Sequence, residues 1–171
     1  MASSVRIGVI GVGFGARVHI PAYQAEGLDV VAVSAAHEER AKDAAERFGI
    51  PNAFSDYREM LRMDGLDAVT VVGPRPLHYE MTRDVLAAGK HVICEKPMAL
   101  TLADCDRMIE SVHRNGVKFI IHSKSSDPPV RKRREIVASD ELGHLIAINT
   151  WNYKNWMNNP RRPDEFDTER G

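Results

Sequence analysis

Residues 5–26 read VRIGVIGVGFGARVHIPAYQAE, and the order of residue types in this stretch decides the fold. The apolar run 5–10 has the length of a buried strand. A glycine cluster at 11–15 follows it immediately, and the residues from there to Glu26 are compatible with a helix. Strand, tight turn and helix in this order predict the opening of a βαβ unit.

The same alternation continues for about 120 residues. Short apolar runs predict further strands at 30–33, 68–72, 91–94 and 117–121. Apolar residues at helical spacing lie between them, and glycines stand where helices should end, at Gly49, Gly89 and Gly116. Thr101, with Asp104 three residues later, resembles a capping box that opens a helix. Strands alternating with helices predict an α/β fold with a doubly wound, mostly parallel sheet.

After residue 122 the pattern changes. Asp127-Pro128-Pro129 predicts the start of a helix, and 145–151 alternates like a half-buried strand. A single strand cannot bury a sheet face, because its backbone groups and apolar side remain unpaired. We therefore expect 123–171 to be the incomplete beginning of a second α/β domain, and a chain of this length to be inactive alone.

Composition excludes several classes of function. The 171 residues are 43% hydrophobic and 27% charged with a net charge of −1, so bulk electrostatics predict neither a nucleic acid nor a membrane partner. The basic run 131–134 is interpreted as a solvated helix face. No signal peptide or long apolar run is apparent, which predicts a soluble, cytoplasmic protein. Cys94 and Cys105 lack metal-ligand spacing, so we expect reduced thiols and no metal site.

The glycine cluster matches the dinucleotide fingerprint as Gly11-x-Gly13-x-x-Ala16, with Phe14 and Gly15 inside it. In this fingerprint the first glycine makes the turn, the second admits the pyrophosphate, and a small third residue packs helix on strand. The alternative is a plain tight turn. An acidic residue normally follows the second strand and binds the ribose, but Ser34 and Ala35 stand here, with His37 and Arg40 as the nearest basic candidates. The sequence thus predicts NAD or NADP without choosing between them.

The tripeptide Glu95-Lys96-Pro97 stands at the carboxyl end of a predicted strand, where open α/β sheets bind ligands. A lysine beside a nicotinamide could bond a substrate hydroxyl and exchange its proton as hydride leaves the same carbon. A solvated surface lysine is the alternative. A cis bond before Pro97 would fix the turn that aims the side chain.

The segments 10–13, 74–78 and 92–97, together with His19, resemble the glucose–fructose oxidoreductase, inositol dehydrogenase and rhizopine-catabolism (Gfo/Idh/MocA) family along the whole chain. The resemblance implies an N-terminal Rossmann domain at 1–122 and a C-terminal substrate and homo-oligomerisation domain from 123. It implies a dehydrogenase in which Lys96 is the acid/base residue, and in which Pro74, His78, Glu95 and Pro97 line the cofactor. His19 and His78 could instead be structural histidines, and no metal is required.

Two departures from the family pattern concern the substrate. Arg75 replaces the usual asparagine, and 122–125 reads HSKS where an arginine is common, which argues against a typical sugar. The segments 127–131 and 160–168 are similar to the branch with phthalate 4,5-cis-dihydrodiol dehydrogenases. That similarity implies a carboxylated cis-dihydrodiol bound by Arg161 and Arg162, unless these arginines pair within their own loop.

Three other functions remain open from the sequence. A sugar or cyclitol dehydrogenase of the same family would use the same residues. A non-catalytic regulatory protein could keep the glycine fingerprint and bind a nucleotide without turnover. An NAD-dependent glycoside hydrolase would regenerate its cofactor.

Overall fold

The computed structural model describes residues 4–123 and 127–149. The chain divides into two compact units, Met1–Lys124 and Ser125–Gly171.

The first unit is built on one parallel sheet of six strands in the order β3-β2-β1-β4-β5-β6. The strands are β1 (Arg6–Ile10), β2 (Asp29–Ser34), β3 (Asn52–Phe54), β4 (Ala68–Val71), β5 (His91–Glu95) and β6 (Phe119–His122). The strand order reverses between β1 and β4, as in dinucleotide-binding sheets. The predicted α/β class and parallel sheet are confirmed.

The helices between these strands begin and end largely where the sequence predicts. They are α1 (Ile20–Ala25), α2 (Glu38–Phe48), α3 (Tyr57–Met60), α4 (His78–Ala87) and α5 (Leu102–Asn115). Gly49 and Gly116 follow α2 and α5 with left-handed φ angles of 65° and 63°. The Thr101 side chain accepts the Asp104 N–H at the start of α5, which confirms the predicted cap.

The segment after the glycine cluster departs from a regular α-helix. Gly15–His19 forms a π-helical turn, and α1 begins only at Ile20. Pro21 lies in the first turn of α1, and because proline has no N–H it cannot donate to the carbonyl four residues earlier. The wider turn accommodates this missing bond. The predicted helix to Glu26 is therefore two shorter pieces.

Two apolar clusters form the core. The first cluster joins β4 and β5 to α3 and α4 and includes Met60, Val69 and Leu86. The second cluster joins β1 and β2 to α1 and α2 and includes Val9, Ile20 and Ala44. Removal of this apolar surface from water is the main favourable contribution to folding. Within the described residues, no helix has both the length and the apolar character needed to cross a membrane.

The second unit contains α6 (Pro128–Ala138), which begins directly after Asp127 as predicted, and the basic run 131–134 is exposed on it. The predicted strand at 145–151 is wrong for its described part, because 145–149 form no strand. A strand needs a hydrogen-bonded neighbour, and none of the described segments pairs with these residues. Thr150 and Trp151 lie outside the described residues.

Candidate active site

The carboxyl ends of β1, β4, β5 and β6 lie at one edge of the sheet. Ile10 pairs with Val71, and Val71 pairs with Cys94, so the loops that follow β1, β4 and β5 leave the sheet side by side. This is the position where the strand order reverses, and ligands of open α/β sheets bind in the crevice there. The fold thus brings the glycine cluster, the Pro74 loop and Glu95-Lys96-Pro97 together.

The three glycines of the turn meet different constraints. Gly11 has a φ of 104°, and a Cβ on it would lie 2.7 Å from the Val72 carbonyl oxygen. A Cβ on Gly15 would lie 3.0 Å from a Val72 methyl group, whereas a Cβ on Gly13 would meet no described atom within 4 Å. The protein's own packing thus requires Gly11 and Gly15. Gly13 keeps a stretch of backbone open to an approaching ligand.

The neighbours of the turn fit the same interpretation. Ala16 is buried in the core cluster beside Val9, as expected for the small third position of the fingerprint. Phe14 is exposed and packs edge-on against the His19 ring. The Gly11 N–H donates to the Ser34 carbonyl over 2.8 Å, which ties the turn to the end of β2.

The residues after β2 leave the cofactor preference open. Ser34 is buried and Ala35 is partly buried, whereas His37 and Arg40 are exposed at the start of α2. Positions 34–37 carry no carboxylate to bind a ribose or to repel a 2′-phosphate.

Glu95 is the most densely bonded polar side chain at this edge. Its Oε1 accepts hydrogen bonds from His19 Nε2 at 3.0 Å and from His122 Nδ1 at 2.6 Å. Its Oε2 accepts the Lys96 backbone N–H at 3.0 Å. Burial acts to raise the pKa of Glu95, but the bonds from His122 and His19 outweigh burial and hold this pKa below its usual value. Glu95 is therefore a buried carboxylate.

His19 is held neutral inside the protein. Burial lowers the pKa of His19 more than its bond to Glu95 raises it. With Nε2–H donating to Glu95, Nδ1 accepts from the Tyr23 hydroxyl at 3.2 Å, and Tyr23 accepts from Thr70 at 2.9 Å. Both ring nitrogens of His19 are thus engaged by protein groups, as in a structural histidine.

His122 completes this cluster, and the sequence interpretation did not select it as a site residue. It is the last residue of β6 and pairs with Glu95 in register. Its side chain is 51% exposed, whereas those of Glu95 and His19 are 8% and 4% exposed. The sequence did mark this segment, because 122–125 lacks the arginine that is common in the family. That observation drew attention to the missing arginine and not to His122.

The three side chains also have the composition of a metal site. One ligand atom from each of His19, Glu95 and His122 lies within 4.8 Å of the others, and imidazole and carboxylate ligands suit several transition metals. However, the hydrogen bonds that both imidazoles donate to Oε1 satisfy the cluster without an ion. Nothing else about this group of residues indicates a metal.

Lys96 follows the anchored Glu95 and is exposed, with a cis peptide bond to Pro97.

His78 contacts this loop and the loop after β4 through its two ring nitrogens. Its Nδ1 lies 2.7 Å from the Pro97 carbonyl oxygen and its Nε2 lies 3.0 Å from that of Gly73, and the residue is 1% exposed. His78 therefore joins the loops after β4 and β5, and its ring is covered.

The remaining candidates contribute less to this site. Pro74 and Arg75 are exposed at the start of the loop after β4. Arg161 and Arg162 lie outside the described residues. Cys94 is a free, buried thiol, and burial raises its pKa to about 11, which disfavours the reactive thiolate.

Comparison with known proteins agrees with this geometry. A family model described as "Oxidoreductase family, NAD-binding Rossmann fold" matches residues 5–123. The chain belongs to the Gfo/Idh/MocA oxidoreductase family. The resemblance inferred from the glycine fingerprint and Glu95-Lys96-Pro97 is confirmed.

Two relatives illustrate the range of substrates within this family. The chain is 31% identical over 169 residues to 1-carboxy-3-chloro-3,4-dihydroxycyclohexa-1,5-diene dehydrogenase of Comamonas testosteroni, which covers 98% of the chain and 43% of that protein. It is 34% identical over 155 residues to myo-inositol 2-dehydrogenase of Thermotoga maritima, which covers 85% of the chain and 45% of that protein. The chain thus spans less than half the length of these relatives.

Solved structures of similar proteins share this fold and contain bound cofactors. Levoglucosan dehydrogenase in complex with NADH superposes with a TM-score of 0.79 at 28% identity, over 84% of this chain and 41% of that one. A 3-ketoreductase from Actinomadura kijaniata in complex with TDP-benzene and NADP gives 0.74 at 29% identity, over 81% and 44% of the two chains. The family match and these neighbours support NAD or NADP as the cofactor.

Proposed function

We propose that this protein is an NAD(P)-dependent dehydrogenase that transfers a hydride between the cofactor and a hydroxylated ring carbon. The observation that carries the proposal is the position of Lys96. Its side chain is exposed at the carboxyl end of β5, and its backbone is anchored to the buried Glu95. It lies at the same edge of the sheet as the open backbone of Gly13.

The cofactor contacts follow the edge of the sheet. The first turn after β1 offers backbone N–H groups at the start of a helical segment, which suits a pyrophosphate. The residues that would hold the cofactor are Gly11, Gly13, Phe14, Gly15, Ala16, Ser34, Ala35, Arg40, Pro74, His78, Glu95, Lys96 and Pro97. His78 would act by holding the Pro97 loop rather than by ring contact, because its ring is covered.

The chemical role of Lys96 is proton exchange. The oxidised nicotinamide, when bound, supplies the hydride acceptor. As the substrate carbon loses its hydrogen as hydride, its hydroxyl loses a proton to the Lys96 amine, and a carbonyl forms. In the reverse direction the Lys96 ammonium returns the proton. The buried Glu95 carboxylate accepts the Lys96 backbone N–H and thereby fixes the backbone from which the Lys96 side chain extends.

The substrate class rests on the relatives. A carboxylated cyclic dihydrodiol is favoured by the dehydrogenase from Comamonas testosteroni, which matches 98% of this chain. Arg161 and Arg162 are the candidates to bind its carboxylate in bidentate fashion. A cyclitol or sugar is the second candidate, supported by the inositol dehydrogenase match. The proposal includes a cytoplasmic location, a homo-oligomer and a boundary near residue 122 between the cofactor and substrate domains.

The test is turnover of the full-length protein with dihydrodiols, cyclitols and sugars, in wild type and Lys96→Ala. We expect kcat to fall by about 10²–10⁴-fold in the variant while cofactor affinity stays within a few-fold. Lys118→Ala is the control, because Lys118 is exposed just before the amino end of β6, away from the site edge. Unchanged kcat in Lys96→Ala would contradict the assignment.

The same panel separates the other functions. A regulatory protein would bind NAD(P) without turning over any substrate. A glycoside hydrolase would consume a glycoside without net change in the cofactor's redox state. Net nicotinamide reduction with a diol, cyclitol or sugar excludes both.

A further inference from the structure

We propose that His122, oriented by Glu95, is a proton-transfer residue of this site that passes the substrate's hydroxyl proton from the Lys96 amine to solvent. The inference rests on the proposed function, because it assigns a further residue to the same reaction. It concerns a step that every turnover requires. The Lys96 ammonium formed in one oxidation must lose its proton before the next oxidation can begin.

The position of His122 follows from the sheet register. Glu95 ends β5 and His122 ends β6, and the two residues are paired neighbours in adjacent parallel strands. The side chain of His122 therefore lies at the edge where the loop with Lys96 leaves the sheet. Glu95 links the two directly, since Oε1 accepts from the His122 ring and Oε2 accepts from the Lys96 backbone N–H.

The hydrogen bond to Glu95 determines which nitrogen of the His122 ring carries the proton. Glu95 is a carboxylate and can only accept, so His122 Nδ1 must carry the proton of the 2.6 Å bond. In the neutral ring this leaves Nε2 as the acceptor, the ring atom that would take a proton in the transfer. The same division of roles operates in carboxylate–histidine pairs that serve as general bases.

The other members of the cluster cannot perform this transfer. His19 is buried with both nitrogens engaged, by Glu95 and by Tyr23. Glu95 is buried, and both of its oxygens accept hydrogen bonds. His122 is 51% exposed and is thus the member of the cluster that contacts solvent. Two described titratable groups contact its ring: Glu95 by the hydrogen bond, and His19, whose ring packs edge-on against it with the centroids 4.9 Å apart. Lys96 joins the cluster through its backbone bond to Glu95, and its exposed side chain leaves the sheet at the same edge.

Proton balance is maintained through the step. The Lys96 ammonium gives one proton to His122 Nε2, directly or through a water molecule, and the imidazolium then gives it to bulk water. Lys96 returns to the neutral amine and His122 to the neutral imidazole. No oxidant is consumed beyond the NAD(P)⁺ of the proposed reaction.

The experiment compares His122→Asn and His122→Ala in the full-length protein. An asparagine amide can replace Nδ1–H as donor to Glu95, but it cannot take a proton at neutral pH. We expect both variants to lose about 100-fold in kcat while KM and cofactor affinity stay within about two-fold. Added imidazole should restore turnover in His122→Ala. His113→Ala, at an exposed position of α5, is the control and should match wild type.

The outcomes are distinguishable. Equal loss in both variants with imidazole rescue supports the transfer role. Near wild-type kcat in His122→Asn, with loss only in His122→Ala, would mean that His122 acts only as a hydrogen-bond donor to Glu95, and it would overturn the proposal. Inactivation of wild type by a chelator would indicate that His122 is a metal ligand, and it would overturn the proposal as well. If Lys96→Ala abolishes turnover and both His122 variants remain active, this inference fails and the dehydrogenase proposal stands. If wild type gives no net nicotinamide reduction with any diol, cyclitol or sugar, both fail.

Discussion

At the scale of single residues, Glu95 combines burial with a full negative charge. An isolated buried carboxylate is strongly disfavoured, and proteins retain one only where hydrogen bonds compensate for lost hydration. Here two imidazole N–H groups and one backbone N–H perform that task. The carboxylate in turn fixes the position of His19, His122 and the Lys96 backbone, which is why it stands at the centre of the site.

The pH dependence of stability tests this arrangement. The pKa of His19 is lowered in the folded state, so its contribution is present above the unfolded value of about 6.5 and is lost as pH falls below it. The pKa of Glu95 is also lowered, so its contribution is present above about 4.5 and is lost as pH falls further. We expect the melting temperature to decline in both windows on acidification.

Variants separate the two windows. His19→Gln should remove the dependence that begins near pH 6.5, and Glu95→Gln should weaken the dependence that begins near pH 4.5. Calorimetric melts from pH 8 down to about pH 3 cover both windows, with His113→Gln as the exposed control. A wild-type melting temperature that rises from pH 7 to pH 5 would contradict the neutral state of His19.

At the scale of elements, the strength of the local signal determined what the sequence predicted. The caps of α2 and α5 were predictable because Gly49, Thr101 and Gly116 satisfy helix-end groups locally. Strand β3 and helix α3 were not predicted, since three and four residues are too short for a periodic pattern. Of the strand predicted at 145–151, the described residues 145–149 form no strand, because alternation specifies a face but supplies no partner strand.

The N-terminal cap of α5 gives a direct test at this scale. Thr101→Ala removes the hydroxyl that accepts the Asp104 N–H and should lower the free energy of unfolding by about 1 kcal/mol. Thr101→Ser keeps the hydroxyl and should retain most of that stability. Chemical denaturation of the three proteins measures the difference. Equal stability of all three would show that the cap contributes nothing.

At the scale of the whole molecule, the site is a product of strand order. The glycine turn, Pro74 and Glu95-Lys96-Pro97 were predictable as separate segments, and parallel strands bring such segments to one edge. The Glu95 cluster was not predictable, because His19 lies 76 residues and His122 lies 27 residues from Glu95 in the chain. Only the register of β5 with β6 shows that His122 meets a buried carboxylate.

The central claim is that this edge binds a nicotinamide dinucleotide through the backbone at Gly13. Gly13→Val tests it cleanly, because a Cβ there meets no described atom within 4 Å and the fold should tolerate the side chain. Ala25→Val, at an exposed position late in α1, is the control for added bulk.

The decisive measurement is calorimetric titration of wild type, Gly13→Val and Ala25→Val with NADH and NADPH, with a thermal melt of each protein. We predict that wild type and Ala25→Val bind at least one of the two cofactors. Gly13→Val should melt near the wild-type temperature, but its affinity for the cofactor should fall by at least about 100-fold, because the valine side chain occupies the space that the pyrophosphate needs. Equal cofactor affinity in wild type and a folded Gly13→Val would contradict the account.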